Sequence, residues 1–343
     1  MAYGLTMATR RKHTKTKGER HRRSTEERGR VRHLQPPKIR HQKSLALIAE
    51  VARSATTAAL SLPQASDERP AILFDVSFLQ RGINALAAVG LLCGSGHWEF
   101  AVSAVRQVFE LVLNVEYIAA QADRPAAMLR YQKFGLLQMA RQVEASLEYD
   151  RKTGRTVDED RLAHVRSLLD RAFDEFRDYR KSGSWRWAQS WSGKSVRELA
   201  YESAEPIRRD QYGLLFSAWS DQTHASPGVL LGTMVSGDSE AEEIIAADDV
   251  RIAETLASAV TMFLDLWARL PTIPGPEPAQ VTRWYGHFLD EAKRYGGVVT
   301  AGKAPATEYA SAEIPDRSAP PYLDLKAGQD GHDGAQRSHD ASI

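Results

Sequence analysis

Three of the polar side chains in the largely apolar stretch from Trp98 to Ala120 are regularly spaced. Arg106, Glu110 and Asn114 follow one another at intervals of four residues, a spacing that places them on one face of an α-helix. A helix that is apolar around most of its remaining circumference is typical of the centre of a domain. A buried ion pair has a desolvation cost of roughly several kcal/mol, so Arg106 and Glu110 require further polar partners or a cleft. Two interpretations follow: a structural polar network, or the lining of a ligand or catalytic pocket.

A second polar group lies further along the chain. Ser220 and His224 are one turn apart on the same helix face, and Tyr212 lies two turns earlier. Because Pro227 ends this helix, a protonated His224 would stabilise the helix dipole. The alternative is proton transfer, since histidine titrates near neutral pH.

In the catalytic version of this hypothesis, His224 is the general acid/base and Glu110 orients it. Arg106 stabilises developing negative charge. Ser220 or Tyr212 then positions the substrate. In the binding version, Tyr212, Ser220 and Asn114 hold a ligand.

Three tryptophans, Trp185, Trp187 and Trp191, precede the sequence Gly193-Lys194-Ser195. The first glycine of a nucleotide-binding P-loop would fall at position 188, which is alanine, so this is not a P-loop. We interpret Ser195, with Glu198 three residues later, as a helix cap. The tryptophans are expected to form a lid or plug over the helices, with an aromatic platform for a ring as the alternative.

No metal or cofactor is predicted. Helical bundles with carboxylate-bridged metals carry Glu-x-x-His pairs on two helices, and this sequence has none. Asp160 and His164 are four residues apart, but their helix is rich in charge, so solvated surface is expected.

The charge is distributed unevenly. Residues 1–43 contain 14 Lys+Arg and three acidic residues, although the whole chain carries a formal charge of only +1. This composition is typical of a phosphate-binding arm whose affinity falls with salt, and a solubilising extension is the alternative. The positions nominated for nucleic-acid contact are Arg10, Arg11, Lys12, Arg20, Arg22 and Arg23.

The cellular location is predicted from the cysteine content of the sequence and from its apolar segments. Cys93, the only cysteine, can form no internal disulfide, so the cytoplasm is expected. No signal peptide is predicted, because polar residues precede the first apolar segment. The uncharged run 82–98 contains glycines and falls short of the roughly 20 apolar residues of a membrane span, so it is interpreted as core and no membrane is expected.

Apolar residues recur at intervals of three and four from Ser44 to Leu270, which predicts an all-α multi-helix bundle of about eight or nine helices. The predicted domains are a basic disordered arm (1–43), an all-helical domain (44–270), a proline-rich connector (271–278), an accessory helix (279–296) and a disordered tail (297–343). The predicted helices are 44–60, 70–93, 98–122, 125–150, 157–181, 195–202, 209–224, 240–270 and 279–295. Further caps are expected at Thr156 and Ser239.

The order and spacing of these motifs resemble a known family. Ala104-Val105-Arg106-x-x-x-Glu110, the segment from Trp191 to Ala200, Tyr212 and Ser220-x-x-x-His224 together resemble the bacterial all-helical group called domain of unknown function 5677, over about residues 70–270. The resemblance implies a shared helical fold, recurring polar positions and no established activity.

Two functions are therefore considered. The first is a binding or interaction protein, with a central polar pocket for a small ligand or nucleotide and an arm that contacts nucleic acid or an acidic partner. The second is a phosphodiester hydrolase or ribonuclease of a stress or phage-defence system that uses His224. The sequence does not define an oligomeric state.

Overall fold

The computed structural model describes residues 35–62, 69–216, 219–220, 227 and 241–297, and its architecture is all-α, as predicted. The α-helices within these residues are α1 (Pro37–Arg40), α2 (Gln42–Leu60), α3 (Arg69–Gly94), α4 (Trp98–Ala119), α5 (Arg124–Lys152), α6 (Glu159–Ala172), α7 (Val196–Glu202), α8 (Ile207–Gln211), α9 (Ala241–Ala268) and α10 (Pro278–Tyr295). Two short strands, β1 (Arg177–Tyr179) and β2 (Trp185–Trp187), pair antiparallel as a hairpin. Most of the predicted arm and tail lies outside the described residues.

Helices α3, α4 and α9 form the centre of the fold, and each packs against the other two. Val108 and Phe109 of α4 are fully buried, as the apolar sequence of this helix predicts. The first turn of α4 is different, because Phe100 is 63% exposed. The helix that carries Arg106 and Glu110 is therefore central along most of its length and reaches the surface at its start.

Helix α3 is the one described helix that is long and apolar enough, by length and composition, to cross a membrane. Core helices of soluble proteins meet the same criterion. Leu79, Leu86 and Val89 of α3 are completely buried in the common hydrophobic core.

Among the described residues, the first helix begins at Pro37, inside the segment for which disorder is predicted. Proline is tolerated in the first turn of a helix, so Pro37 can start α1. His41 and Ser44 are buried against α9 and α10. The boundary predicted at residue 43 therefore falls within a packed segment.

Helix α10 packs into the same core as the other helices, although the sequence predicted an accessory element. Trp284 is completely buried and Phe288 nearly so. In the proline-rich connector, the carbonyl oxygen of Pro274 accepts a hydrogen bond from the indole nitrogen of Trp267 at 2.8 Å. The connector is thus held against α9.

The predicted helix 157–181 is too long at its C-terminal end. Its cap is Asp158, whose carboxylate accepts a hydrogen bond from the Arg161 amide at 2.9 Å, so the cap predicted at Thr156 is wrong. The helix ends at Ala172, and a 3-10 turn leads into the hairpin. Three residues per strand are too few to produce a visible alternation in the sequence, which explains why the hairpin was not predicted.

The cap predicted at Ser195 is confirmed. Its hydroxyl oxygen accepts a hydrogen bond from the Glu198 amide at 3.2 Å, and the Glu198 carboxylate accepts one from the Ser195 amide at 2.6 Å. The sequence predicted one helix over residues 209–224. The structure instead has α8, which ends at Gln211, followed by a π-helical turn over Tyr212–Phe216. The rest of that prediction, apart from residues 219–220, and the cap predicted at Ser239 lie outside the described residues.

Candidate functional site

Arg106 joins the two polar groups that the sequence singled out. Its Nε atom donates to Glu110 Oε1 at 3.3 Å, and its Nη1 atom donates to the hydroxyl of Ser220 at 3.2 Å. The Arg106 and Glu110 side chains are 24% and 39% exposed, so the pair is only partly desolvated. The arginine therefore has the further polar partner that a semi-buried charge requires.

Phe216 forms the apolar side of this cluster. The guanidinium carbon of Arg106 lies 4.2 Å from the centre of the Phe216 ring, which is a cation–π distance. Tyr212 stacks on the same phenylalanine, with ring centres 5.2 Å apart. Phe216 therefore contacts both Arg106 and Tyr212, and it connects these two predicted site residues.

Asn114 connects α4 to the tryptophan segment. Its Nδ2 atom donates to the backbone oxygen of Glu110 at 2.8 Å, and its Oδ1 atom accepts a hydrogen bond from the indole nitrogen of Trp191 at 2.7 Å. The backbone oxygen of Trp191 in turn accepts a hydrogen bond from Arg130 at 2.9 Å. Trp191 is only 6% exposed, so this tryptophan is the plug that the sequence predicted, whereas Trp185 is 41% exposed.

A cleft of about 580 Å³ lies between α4, α5 and the chain from β2 to α7. Its volume is within the range of small-molecule sites. Its lining includes a carboxylate, a phenol, carboxamides and aromatic rings, supplied by Glu110, Asn114, Tyr131, Phe134, Gln138 and Trp191.

Burial raises the pKa of the Glu110 carboxyl, because the nearby Arg106 offsets only part of the cost of desolvation. Burial also raises the pKa of the Tyr131 phenol, and the negative charge of Glu110 adds to that shift. Glu110 and Tyr131 are therefore close enough to influence each other electrostatically, and both line the cleft.

The predicted site residues divide into two adjacent groups. Glu110 and Asn114 line the cleft, whereas Arg106, Tyr212 and Ser220 are not part of its described lining. Glu110 belongs to both groups, since it pairs with Arg106. His224 and all six nominated basic positions of the N-terminal arm lie outside the described residues.

Sequence reasoning missed Tyr131 and Gln138, which line the cleft from α5. They are seven residues apart, so both lie on one face of that helix. This spacing would have grouped the two residues together, but nothing in it indicates that their face of α5 lies opposite Glu110.

A buried charge network was also missed. Arg208 is 1% exposed, and its Nε atom donates to Glu116 at 2.9 Å. Arg208 also pairs with Asp265 of α9, and Arg269 donates to Glu116 at 2.8 Å. These residues are separated by long stretches of sequence, so no local spacing could have connected them.

Asp160 and His164 are exposed, as expected for a solvated helix face. Within the ranges that the structure describes, no group of three or more His, Cys, Asp and Glu side chains could hold a metal ion.

Fold and site together define an all-helical protein with a polar, aromatic-lined cleft. Residues 76–242, just under half of the chain, match the model of a family of unknown function, DUF5677. The resemblance predicted from the sequence is confirmed over these residues, which run from within α3 to the start of α9. No curated protein and no solved structure matches the chain.

Proposed function

We propose that this protein is a cytoplasmic α-helical binding protein whose small ligand occupies the cleft between α4, α5 and the chain from β2 to α7. The observation that carries the proposal is the position of Glu110 at the wall of this cleft. One carboxylate oxygen is engaged by Arg106, and the described residues provide no hydrogen bond to the other. A ligand can supply that hydrogen bond.

The surroundings of Glu110 support this function. Arg106 is fixed by Ser220 and Phe216, so the carboxylate that it contacts is held in one place. Asn114 and Arg130 hold Trp191 at the edge of the cleft. A binding group on a rigid helix with fixed neighbours loses little conformational entropy when a ligand arrives.

Gly135 provides a direct test, because it lines the cleft from α5 and a Cβ atom there would meet no other atom within 4 Å. Gly135→Phe should fill the cleft without disturbing the core. Gly286→Phe on α10 is the matched control, since a Cβ atom there also has open space and the residue does not line the cleft.

The measurement is untargeted mass spectrometry of small molecules that copurify with the wild type and both variants. We expect at least one molecule to copurify with the wild type and with Gly286→Phe, and to be lost from Gly135→Phe. Retention by all three proteins, or the absence of any such molecule from the wild type, would contradict the proposed function.

The basic arm adds a nucleic-acid contact to the proposal. Its support is the concentration of 14 Lys+Arg in residues 1–43, which is typical of phosphate binding. The test replaces Arg10, Arg11, Lys12, Arg20, Arg22 and Arg23 by Gln in the full chain. The control replaces exposed basic residues of the helical part, namely Arg53, Lys152, Arg161, Arg171, Lys181 and Lys293.

In mobility-shift titrations with RNA and DNA, the arm variant should bind more weakly than the control, and the difference should shrink as salt is raised. Equal binding by the two variants would remove the arm from the proposed function.

The hydrolase remains the second candidate for two reasons. Arg106 contacts Ser220, which suits stabilisation of negative charge beside a substrate-positioning hydroxyl, and the pKa of Glu110 is raised, which suits acid/base chemistry. Metal-free cleavage of RNA and of simple phosphodiesters by the wild type and by His224→Ala tests it. Loss of cleavage in the variant would favour the enzyme, and equal cleavage would eliminate the assignment of His224.

A further inference from the structure

We propose that the ligand of the cleft is a small organic cation, an amine attached to an aromatic or apolar group, whose ammonium is bound by Glu110 and whose apolar part packs against Tyr131 and Phe134. This inference rests on the function proposed above and specifies its ligand.

The first argument is that, among the residues that the structure describes, the cleft offers an anionic ligand no cation without an acidic partner. Both cations among its described lining residues already have acidic partners. Lys194 pairs with Glu202 and its ammonium lies 5.1 Å from the Tyr117 ring. Arg186 lies 3.5 Å from Asp178. A ligand with a phosphate or carboxylate would therefore compete with these partners for the two cations.

The acidic residues of the cleft are not equivalent. Glu198 accepts hydrogen bonds from the amide and the hydroxyl of Ser195 in the helix cap, and the Asp178 side chain is 54% exposed, so its carboxylate is largely solvated. From the described residues, the Glu110 carboxylate accepts a single hydrogen bond, from Arg106 at 3.3 Å. Burial raises the pKa of the Glu110 carboxyl, because Arg106 compensates for only part of the cost of desolvation. A second cation beside Glu110 would provide the missing compensation.

The second argument is the composition of the walls. Tyr131 lies in ring contact with Trp191, with centres 5.3 Å apart and an edge-on arrangement. Phe134 makes a similar edge-on contact with Phe176 at 5.2 Å. Aromatic rings beside a carboxylate favour organic cations, which combine an apolar body with a charge that rings also attract.

Size limits the ligand to a small molecule. The cleft of about 580 Å³ suits a single ring with a short aminoalkyl chain, whereas a protein segment would need a much longer surface.

The experiment uses tyramine as the amine probe, with the neutral alcohol tyrosol and the anion 4-hydroxyphenylacetate as controls of nearly equal shape. Binding to the full chain is measured by isothermal titration calorimetry and by ligand-observed NMR. We expect tyramine to bind about tenfold or more tightly than tyrosol, the effect of one charge-assisted hydrogen bond. The anion should bind most weakly.

Glu110→Gln should remove the preference for tyramine over tyrosol, while Glu243→Gln, an exposed position on α9 outside the cleft, should keep it. Thermal melts monitored by circular dichroism check that both variants fold. If Glu110→Gln does not fold, the order of binding of the three probes to the wild type decides the proposal.

Tighter binding of tyrosol or the anion, or no binding of any probe, would overturn the inference. Either result is distinguishable from failure of the proposed function, because the copurification experiment with Gly135→Phe identifies a cleft ligand of any charge.

Discussion

The indole nitrogen of Trp191 donates a 2.7 Å hydrogen bond to the side-chain oxygen of Asn114, across 77 positions of sequence. This bond attaches the segment before α7 to the central helix α4. Trp191 is nearly buried, and Asn114 is the hydrogen-bond partner of its indole N–H group. Asn114 thus has a structural role at the edge of the cleft in addition to lining it.

Asn114→Ala should lower the free energy of unfolding by about 1–3 kcal/mol, the usual cost of a buried donor without a partner. The measurement is urea denaturation, with the exposed Asn84, which accepts a hydrogen bond from Gln80 on the surface of α3, replaced by Ala as the control. Equal stability of the two variants would show that the Trp191 contact does not hold the segment in place.

Arg208→Ala should destabilise the fold strongly, by about 3–5 kcal/mol, because Glu116 and Asp265 would lose a buried partner. Arg208 is almost fully buried and donates two hydrogen bonds to Glu116, at 2.9 and 2.7 Å. Arg251→Ala is the control, since Arg251 is 56% exposed and pairs with Glu254 of the same helix. Denaturant midpoints that fall by the same amount in both variants would contradict a dominant role for Arg208.

The buried cluster around His41 should make stability depend on pH. Burial acts against the charged ring, but hydrogen bonds to Asp249 and Glu291, at 3.0 and 2.9 Å, outweigh it and raise the pKa of His41 above its ordinary 6.5. This contribution is complete below pH 6.5 and is lost as the pH rises through the higher folded-state pKa.

The carboxyls of Asp249 and Glu291 determine how the stability of the cluster changes at acidic pH. Burial tends to raise their pKa values, but hydrogen bonds from His41 and other groups lower the pKa of both Asp249 and Glu291. Their contribution is present above the ordinary values of 3.8 and 4.5 and is lost as the pH falls through the lowered ones. The cluster should therefore stabilise most between about pH 4.5 and pH 6.5.

The measurement is the free energy of unfolding of the wild type and of His41→Gln from pH 5 to pH 9, with the exposed His164→Gln as control. The stability difference between wild type and His41→Gln should decrease above pH 6.5, whereas His164→Gln should follow the wild type. Burial lowers the pKa of the neighbouring His287, so its contribution to stability changes with pH in the opposite direction. The wild type and His41→Gln both contain His287, so the difference in their free energies of unfolding isolates the contribution of His41. Parallel curves for wild type and His41→Gln would contradict the prediction.

Gly82→Ala should destabilise the protein although alanine favours helices. A Cβ atom at position 82 would lie 2.8 Å from Leu266 and 3.1 Å from Phe263, both completely buried on α9. We expect a net loss of about 1 kcal/mol, since overpacking of about 1–3 kcal/mol exceeds the gain in helix propensity. Gly286→Ala in α10 meets no such atoms and should gain about 0.5–1 kcal/mol. Thermal melts that shift in the same direction would contradict the close packing of α3 on α9.

The sequence by itself determined those features that depend on neighbours within one or two helical turns. The four-residue spacing of Arg106 and Glu110 predicted the contact that they make, and Ser195 with Glu198 predicted a cap that forms. The apolar pattern of α4 predicted its central position. In each case the geometry of a single helix fixes which side chains meet.

Only the tertiary structure decided which helix faces meet. Tyr131 lies beside Glu110 because α5 packs along α4, and Trp191 reaches Asn114 because the chain returns to α4 after the hairpin. His41 is buried because α2 begins against α9 and α10, although its sequence neighbours are basic and polar. Contacts of this kind depend on the angles and positions at which helices cross. The packing of the whole core selects those crossings, so no short stretch of sequence determines them.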